Sequence, residues 1–434
     1  MLMNDRIKRT ISAILALLIL SGCTNNTSDV HDNNETGTEL DTKAIVESEN
    51  DITETADTTE TSGEEDADIS VAEVRVNTLS KDDYQTDLQE YAEKLLEKIR
   101  AELTNERVGI AYEYLGSKQI SFLWPFSVLL ESVSALYECD TTNEELKEYY
   151  TLLLDKFLPR YEGTAANVKK VYSSTTGDGD KYYDDNEWIV IELVRASKLL
   201  GNSEYLESAK ELAEFCYSGW VDSSGGIKWK MDGDSCNTCS NGPAAVFSCM
   251  LYEETGDQYY LDWAEKIYSW TYEKLCDSDG TYFDSIKIKN GSVDESKYSY
   301  NTGTMLVSGV MLYRITGNDE YLTQARQSAE GGVNEFFIKA GKRCVVKNSH
   351  PWFNSWLLEG YIELYKTDIT NEQTKEYIND FYSVLETAVK RAGDDLYVGK
   401  SWNSKADDEV ELIHQAGTVR AMAQLANLIN NFAE

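Results

Sequence analysis

The chain has 434 residues and a formal net charge of −36. That acidity excludes nucleic-acid recognition as a principal task, because phosphate binding needs clustered Lys and Arg. It fits a neutral or cationic ligand better. Nine Trp and 28 Tyr offer rings on which sugars stack, although helical cores use the same residues.

The N-terminus reads as an export signal. Arg6, Lys8 and Arg9 precede an apolar run from Ile11 to Leu20, too short to span a bilayer. Leu20-Ser21-Gly22-Cys23 follows and looks like a bacterial lipobox. The expectation is a signal peptide over 1–22, cleavage before Cys23 and lipidation of that thiol. The product is then exported and anchored to the bacterial cell membrane, facing outside; an ordinary signal peptide with a chance Cys is the alternative. From 23 to 80 the chain is rich in Asp, Glu, Thr, Ser and Asn. Such a segment cannot bury enough apolar surface to offset its ordering entropy, and its charge extends it into a tether. No other segment approaches the ~20 apolar residues of a membrane span.

From 81 onward the pattern is helical. Leu193 to Phe215 carries apolar residues at spacings of three and four, with a Gly-Asn break in the middle and Ser203 as the expected N-cap of the second half. The same unit recurs around Gly256 and Gly317: helix, Gly-Asp or Gly-Asn turn, Tyr-Leu, helix. A period of about 50 to 60 residues marks repeated αα-hairpins. About twelve helices are expected, near 81–103, 124–138, 143–159, 185–200, 203–217, 242–255, 258–275, 301–316, 319–334, 352–366, 371–392 and 411–433. Six hairpins predict an all-α, closed (α/α)6 barrel with even-numbered helices inside. An open solenoid uses the same units. Pro125, Pro243 and Pro351 fall near inner-helix starts, where a missing N–H costs nothing.

Each of five aromatic-polar clusters stands at the head of an inner helix: FLWPFS, YYDDNEW, SNGPAA, YSYNTG and HPWFNSW. Inner helices sharing one direction gather Trp124, Tyr183, Asp184, Asp185, Asn241, Tyr300, Asn301, His350, Trp352, His414 and Gln415 at one face. Asp184 and Asp185 are the chemical candidates. Alone, an Asp pair at a helix start is as well explained by capping. Beside Tyr182, Tyr183 and Trp188, in register with the other clusters, it points to a glycosidase pair. Retaining enzymes place two carboxyls about 5 Å apart, and mutual repulsion keeps one protonated. Trp124 and Trp352 would serve as sugar platforms, with Asn241, Asn301 and Gln415 bonding hydroxyls; core packing and capping are the plainer roles.

Other catalytic sets are thin. No Gly-x-Ser-x-Gly elbow, Walker loop or His-Glu-x-x-His occurs. His350 and His414 are an acid-base pair suited to a sugar epimerase. Of eight Cys, Cys236 and Cys239 form a Cys-x-x-Cys without two further zinc ligands nearby. Plain thiols or a local disulfide are expected there. Cys216, Cys249, Cys276 and Cys344 read as buried thiols. No metal or cofactor is expected, and the partner is a polysaccharide.

The block YYDDNEWIVIELVRASKLLGNSEYLESAKELAEF resembles the signature of glycoside hydrolase family 76, the endo-α-1,6-mannanases. SNGPAAVFSCMLYEETGDQYYLDWAEKIYSW, YSYNTGTMLVSGVMLYR and FLWPFS are similar to that family too, and the likeness spans about 85 to 430. It implies an (α/α)6 barrel and retaining, endo-acting cleavage of α-1,6-mannan; the catalytic domain is expected over 81–434, as a monomer. It also implies Asp184 as nucleophile, Asp185 as acid/base, and Tyr300 and Asn301 in the cleft. Two departures stand out: Thr302 where the family often has Gln, and cysteines at Cys236 and Cys239. Transglycosylation by the same two acids is a second outcome. A helical surface lipoprotein that binds glycans without cutting them is a different class of reading.

Overall fold

In a computed structural model the hairpins close into a ring. The structure describes residues 78–434 apart from 166–167, 341–342, 348–349 and 407–408. The expected leader, Cys23 and the tether as far as residue 77 lie outside the described residues.

Twelve α-helices occur among the described residues. They are α1 (Leu88–Leu103), α2 (Leu123–Cys139), α3 (Glu144–Leu152), α4 (Tyr183–Leu200), α5 (Ser203–Tyr217) and α6 (Gly242–Thr255). The second half holds α7 (Gln258–Leu275), α8 (Ser299–Thr316), α9 (Asp319–Phe336), α10 (Pro351–Thr367), α11 (Glu372–Ala392) and α12 (Leu412–Phe432). The hairpin turns follow from local chemistry. Gly201, Gly256 and Gly317 end their helices at φ 64°, 67° and 71°, a left-handed conformation that costs glycine nothing. The next residues, Asn202, Asp257 and Asn318, are extended and cap the following helix with their side chains. Here the sequence reading needs correcting. The N-cap of α5 is Asn202, which accepts the Glu204 N–H at 3.0 Å; Ser203 is already helical. The helix expected to run to 159 gives way after Leu152 to a π-turn and a 3-10 turn that contains Pro159.

The even-numbered helices form the inner ring. α2 packs on α4, α4 on α6, α6 on α8, α8 on α10, α10 on α12, and α12 returns to α2. Each packs also against an odd-numbered helix outside it. Residue character explains the division. α12 buries nearly every residue from Leu412 to Ala426, and α8 from Asn301 to Leu312, so both are buried all round, as an inner helix must be. α11 and α1 bury one stripe and expose Lys and Glu on the other.

The ring has two unlike ends. At one, the C-terminal halves of all six inner helices surround a hollow of about 450 Å³ lined by Arg195, Arg314, Glu359, Glu363 and Lys366 among others. Beneath it lies a buried ion network. Arg420 meets Glu131 at 2.7 Å and also Glu359, and Arg195 reaches Glu359 at 2.6 Å and Glu192 at 2.9 Å. At the other end, the mouth, the connections between hairpins are long and, among the described residues, carry seven short strands in three antiparallel sheets. β1 (Thr104–Asn105) pairs with β2 (Ile110–Ala111) and β6 (Phe337–Ala340) with β7 (Arg343–Val346), while β4 (Phe283–Lys287) is the central strand of the third sheet, between β3 (Ser235–Asn237) and β5 (Val293–Lys297). No helix among the described residues is long and apolar enough to cross a membrane.

Candidate active site

The mouth is assembled by amide side chains that fasten loops to helix starts. Asn186 accepts the Tyr172 N–H at 2.8 Å and donates to the Tyr172 and Tyr182 carbonyls. Asn241 does the same with both backbone groups of Ile227 and with the Asn237 carbonyl. Gln415 clamps the N–H and C=O of Val398, each at 2.9 Å. A primary amide has a donor and an acceptor side by side, the pattern an extended backbone presents. The loops are therefore held where buried backbone would otherwise lose its partners.

α4 begins at Tyr183 rather than near residue 185, so Asp184 and Asp185 lie within its first turn. Both are half-buried. Their surroundings differ. Asp184 Oδ1 accepts the Asp185 N–H at 3.0 Å. Its Oδ2 accepts the Trp229 indole N–H at 3.1 Å and the Cys239 thiol at 3.3 Å. Trp229 is delivered by a loop whose backbone pairs with the chain entering α4, through Tyr183 N to Trp229 O at 2.9 Å. Asp185 has no side-chain hydrogen bond among the described residues. Burial pushes Asp184 up to about 7, while the donors Cys239, the Asp185 amide and Trp229 pull it down. Burial and the neighbouring Asp184 push Asp185 well above the carboxylate range. One acid is thus better disposed to ionise, and its twin to keep a proton.

Aromatic rings flank the pair. Tyr300 stacks on Phe353 with centroids 4.3 Å apart, and Phe353 stacks on His350 at 4.5 Å. Trp124 lies nearly parallel to His350 at 5.8 Å. Tyr298 is 40% exposed and Phe122 43%, which leaves apolar ring surface open at the rim. His350 and His414 have centroids 4.4 Å apart. Burial, reinforced by His414, keeps His350 well below its usual pKa and therefore neutral. A neutral imidazole among stacked rings is a poor general acid.

Not every residue gathered from the sequence faces this space. The Tyr183 ring stacks on Phe215 of outer helix α5, centroids 4.9 Å apart. Trp352 is 1% exposed and donates its indole N–H to Glu131, 3.1 Å to the nearer oxygen. Asn241 and Gln415 are buried and spend their amides on backbone, as described. These four shape the site from behind rather than offering groups to a sugar hydroxyl. Tyr300 is half-buried, and Asn301 is buried beside Asp284. Asp284, on β4, is pushed by burial up to about 6 and accepts from Asn237 at 3.2 Å.

Several participants were not singled out from the sequence. Trp229 and Asp284 come from loops with no periodicity to flag them. Cys239 stood out only as half of a Cys-x-x-Cys. The two thiols are free and have separate partners: Cys239 meets Asp184, while Cys236 is near the Gly225 and Gly226 carbonyls. Phe353 lay unremarked inside HPWFNSW. The other thiols among the described residues are free too, though Cys139 and Cys276 are only half-buried.

A closed ring of six hairpins with a carboxyl pair among aromatic rings at its mouth is the architecture of an (α/α)6 glycoside-hydrolase barrel. A family model described as glycosyl hydrolase family 76 matches residues 87–433. The chain belongs to that family. It is similar to a family 76 glycoside hydrolase from a bovine Bacteroides thetaiotaomicron strain, at 26% identity and TM-score 0.73 over 79% of this chain and 78% of that one. It is also similar to an inactive variant of an α-1,6-mannanase from a Salegentibacter species, in which two neighbouring aspartates are changed to asparagine and α-1,6-mannotriose is bound. That match has 28% identity and TM-score 0.68 and covers 78% of this chain and 99% of that one. Among curated proteins, mannan endo-1,6-α-mannosidase of Saccharomyces cerevisiae is 29% identical over 36% of this chain. The match spans 37% of that relative's length.

Proposed function

We propose that the chain is a retaining, endo-acting glycoside hydrolase that cleaves α-1,6-mannosidic linkages. In this reading Asp184 is the nucleophile and Asp185 the acid/base. The carrying observation is the inequality of the pair: three donors converge on Asp184 and none on Asp185. Donors stabilise the charged form, and their lack favours the protonated one. In the first half-reaction Asp185 gives its proton to the glycosidic oxygen as Asp184 attacks the anomeric carbon. In the second, Asp185 takes a proton from the incoming water, which displaces Asp184. The α4 N-terminus adds its positive dipole end to the stabilisation of Asp184. Tyr300, Trp124 and the rim rings Tyr298 and Phe122 are the surfaces on which mannose units stack. The bound α-1,6-mannotriose in the Salegentibacter relative supports the choice of substrate. The lipobox supports a surface location with Cys23 lipidated.

The test is incubation with α-1,6-mannan, followed by measurement of reducing ends and of the anomer first released. Internal cleavage with the α-anomer appearing first is the expected result. Binding without release of oligosaccharides would turn the reading to a glycan-binding protein. Products longer than the substrate would turn it to transglycosylation.

A further inference from the structure

We propose that Cys239 is a positioning residue for this reaction: its thiol holds the Asp184 carboxylate in place as a hydrogen-bond donor. The inference rests on the assignment of Asp184 as nucleophile.

The geometry begins with a rigid support. Cys239 sits in a single 3-10 turn, Thr238–Ser240, between β3 and α6. The turn is fastened on both sides. Thr238 donates its hydroxyl to the Phe283 carbonyl at 2.6 Å, and Asn241 is locked to the backbone of Ile227 and Asn237. Cys239 itself is 4% exposed. Its Sγ lies 3.3 Å from Asp184 Oδ2, the oxygen that also receives the Trp229 indole. Two donors from two separate loops therefore meet on one oxygen, and the Asp185 amide holds the other. The carboxylate cannot rotate without losing one of them.

The thiol is suited to donate. Burial raises it well above the usual thiol range, and Asp184 and Asp284 raise it further, so it carries its proton at any working pH. A buried thiol that never ionises is a poor nucleophile and a poor redox centre, which leaves hydrogen bonding as its chemistry. The titratable groups facing Asp184 are acidic on every side. They are Asp185 and Glu187 on α4, Tyr182 just before it, Cys216 on α5 and Tyr300 on α8, while Asp284 on β4 faces Cys239. Glu187 is fully buried, and neither of its oxygens has a hydrogen-bond partner among the described residues. Burial raises it well above the carboxylate range. In that company neutral donors, not cations, keep Asp184 able to ionise, and each one counts.

The experiment is the pH profile of kcat/KM on α-1,6-mannan for wild type, Cys239→Ala, Cys239→Ser and Cys236→Ser, each checked for folding by circular dichroism. Cys239→Ala should move the acid limb upward by roughly half to one pH unit, the equivalent of one lost hydrogen bond. Cys239→Ser, which keeps a donor, should leave the limb at or below the wild-type position. Cys236→Ser should leave it unchanged. An acid limb unmoved in Cys239→Ala overturns the proposal. Should that variant not fold, Cys239→Ser decides alone: an upward shift overturns the proposal, and a limb at or below wild type upholds it. Asp184→Asn is run alongside. If it turns over mannan like wild type, the nucleophile assignment fails. If it is dead while Cys239→Ala keeps the wild-type profile, only the role of Cys239 fails.

Discussion

The two ends of the inner ring give their carboxyls different partners: cations at the base, neutral donors at the mouth. At the base, Glu363 is half-buried, and Lys366 and Arg314 outweigh burial and hold it below the usual carboxylate range; deeper in, burial pushes Glu131 up to about 7 although Arg420 pulls it down, and raises Glu138 as well. At the mouth, Asp184 and Asp185 have a thiol, an indole and a backbone amide for company, and burial wins. Desolvation acts at both ends, so depth alone does not set charge. The partners decide whether a buried acid is a fixed structural anion or a group that can trade its proton. One ring thus supports a foundation of acids paired with arginine and lysine and, at the other end, a pair of acids with neutral donors alone.

Substitutions at each end should fail differently. The largest effect belongs to Asp184→Asn, which should lower kcat on α-1,6-mannan by at least about a thousandfold, because no group remains to form the covalent intermediate. Its fold should persist, since the asparagine oxygen can still accept the Asp185 N–H in the first turn of α4. Wild-type turnover would remove the nucleophile from the scheme, and an unfolded product would return the residue to a capping role. Asp185→Asn should cost roughly 10²–10⁴-fold, most for sugar leaving groups and least for activated aryl ones. Equal losses across leaving groups would sink the acid role.

At the base the loss should be in stability. Arg420→Met removes the cation nearest Glu131 and leaves Glu359 to Arg195, and should cost about 3–5 kcal/mol in denaturant unfolding, while kcat of the folded fraction stays near wild type. A variant as stable as its parent would show the network to be dispensable.

pH sharpens the contrast. Asp184 is raised from 3.8 to about 7, and Asp185 is raised further above the same starting value. Between 3.8 and about 7 the folded chain keeps protons that the unfolded chain has released, so this pair's contribution to stability falls as pH rises through that window. Asp184→Asn should therefore melt several degrees above wild type at pH 8, and the advantage should shrink below pH 4. Glu363 has the opposite sign: its contribution is present above 4.5 and is lost as pH falls. A melting difference independent of pH would contradict the charge states assigned to the mouth. The smallest effect is Gly201→Ala, which puts a side chain at φ 64° in otherwise open space. It should cost about 1 kcal/mol with activity intact, since the turn lies outside both ends' chemistry.

The ring was legible because its hairpins repeat a short chemical sentence, Gly with Asn or Asp between two apolar-periodic runs. The prolines located inner-helix starts, and one shared direction then brought the clusters to one face. Finer placement escaped for two reasons. An inner helix is apolar all round, so its sequence does not say which side of the first turn meets the opening; Tyr183 and Trp352 turned away, whereas Phe353 lines it. And loops carry no period, so nothing connected Trp229, Cys239 or Asp284 to an aspartate many residues upstream. The amides of Asn241 and Gln415 read as sugar contacts because a free amide suits a hydroxyl; the backbone of their own loops was the nearer customer.

Those amide clamps at Asn186, Asn241 and Gln415 have an evolutionary corollary. Three connections are bolted to helix starts in this way, so the stretches between the attachments can be lengthened, shortened or recoloured with new side chains while the frame stays put. Diversity in the glycans such a frame accommodates would then accumulate as replaceable panels, one inter-hairpin segment at a time.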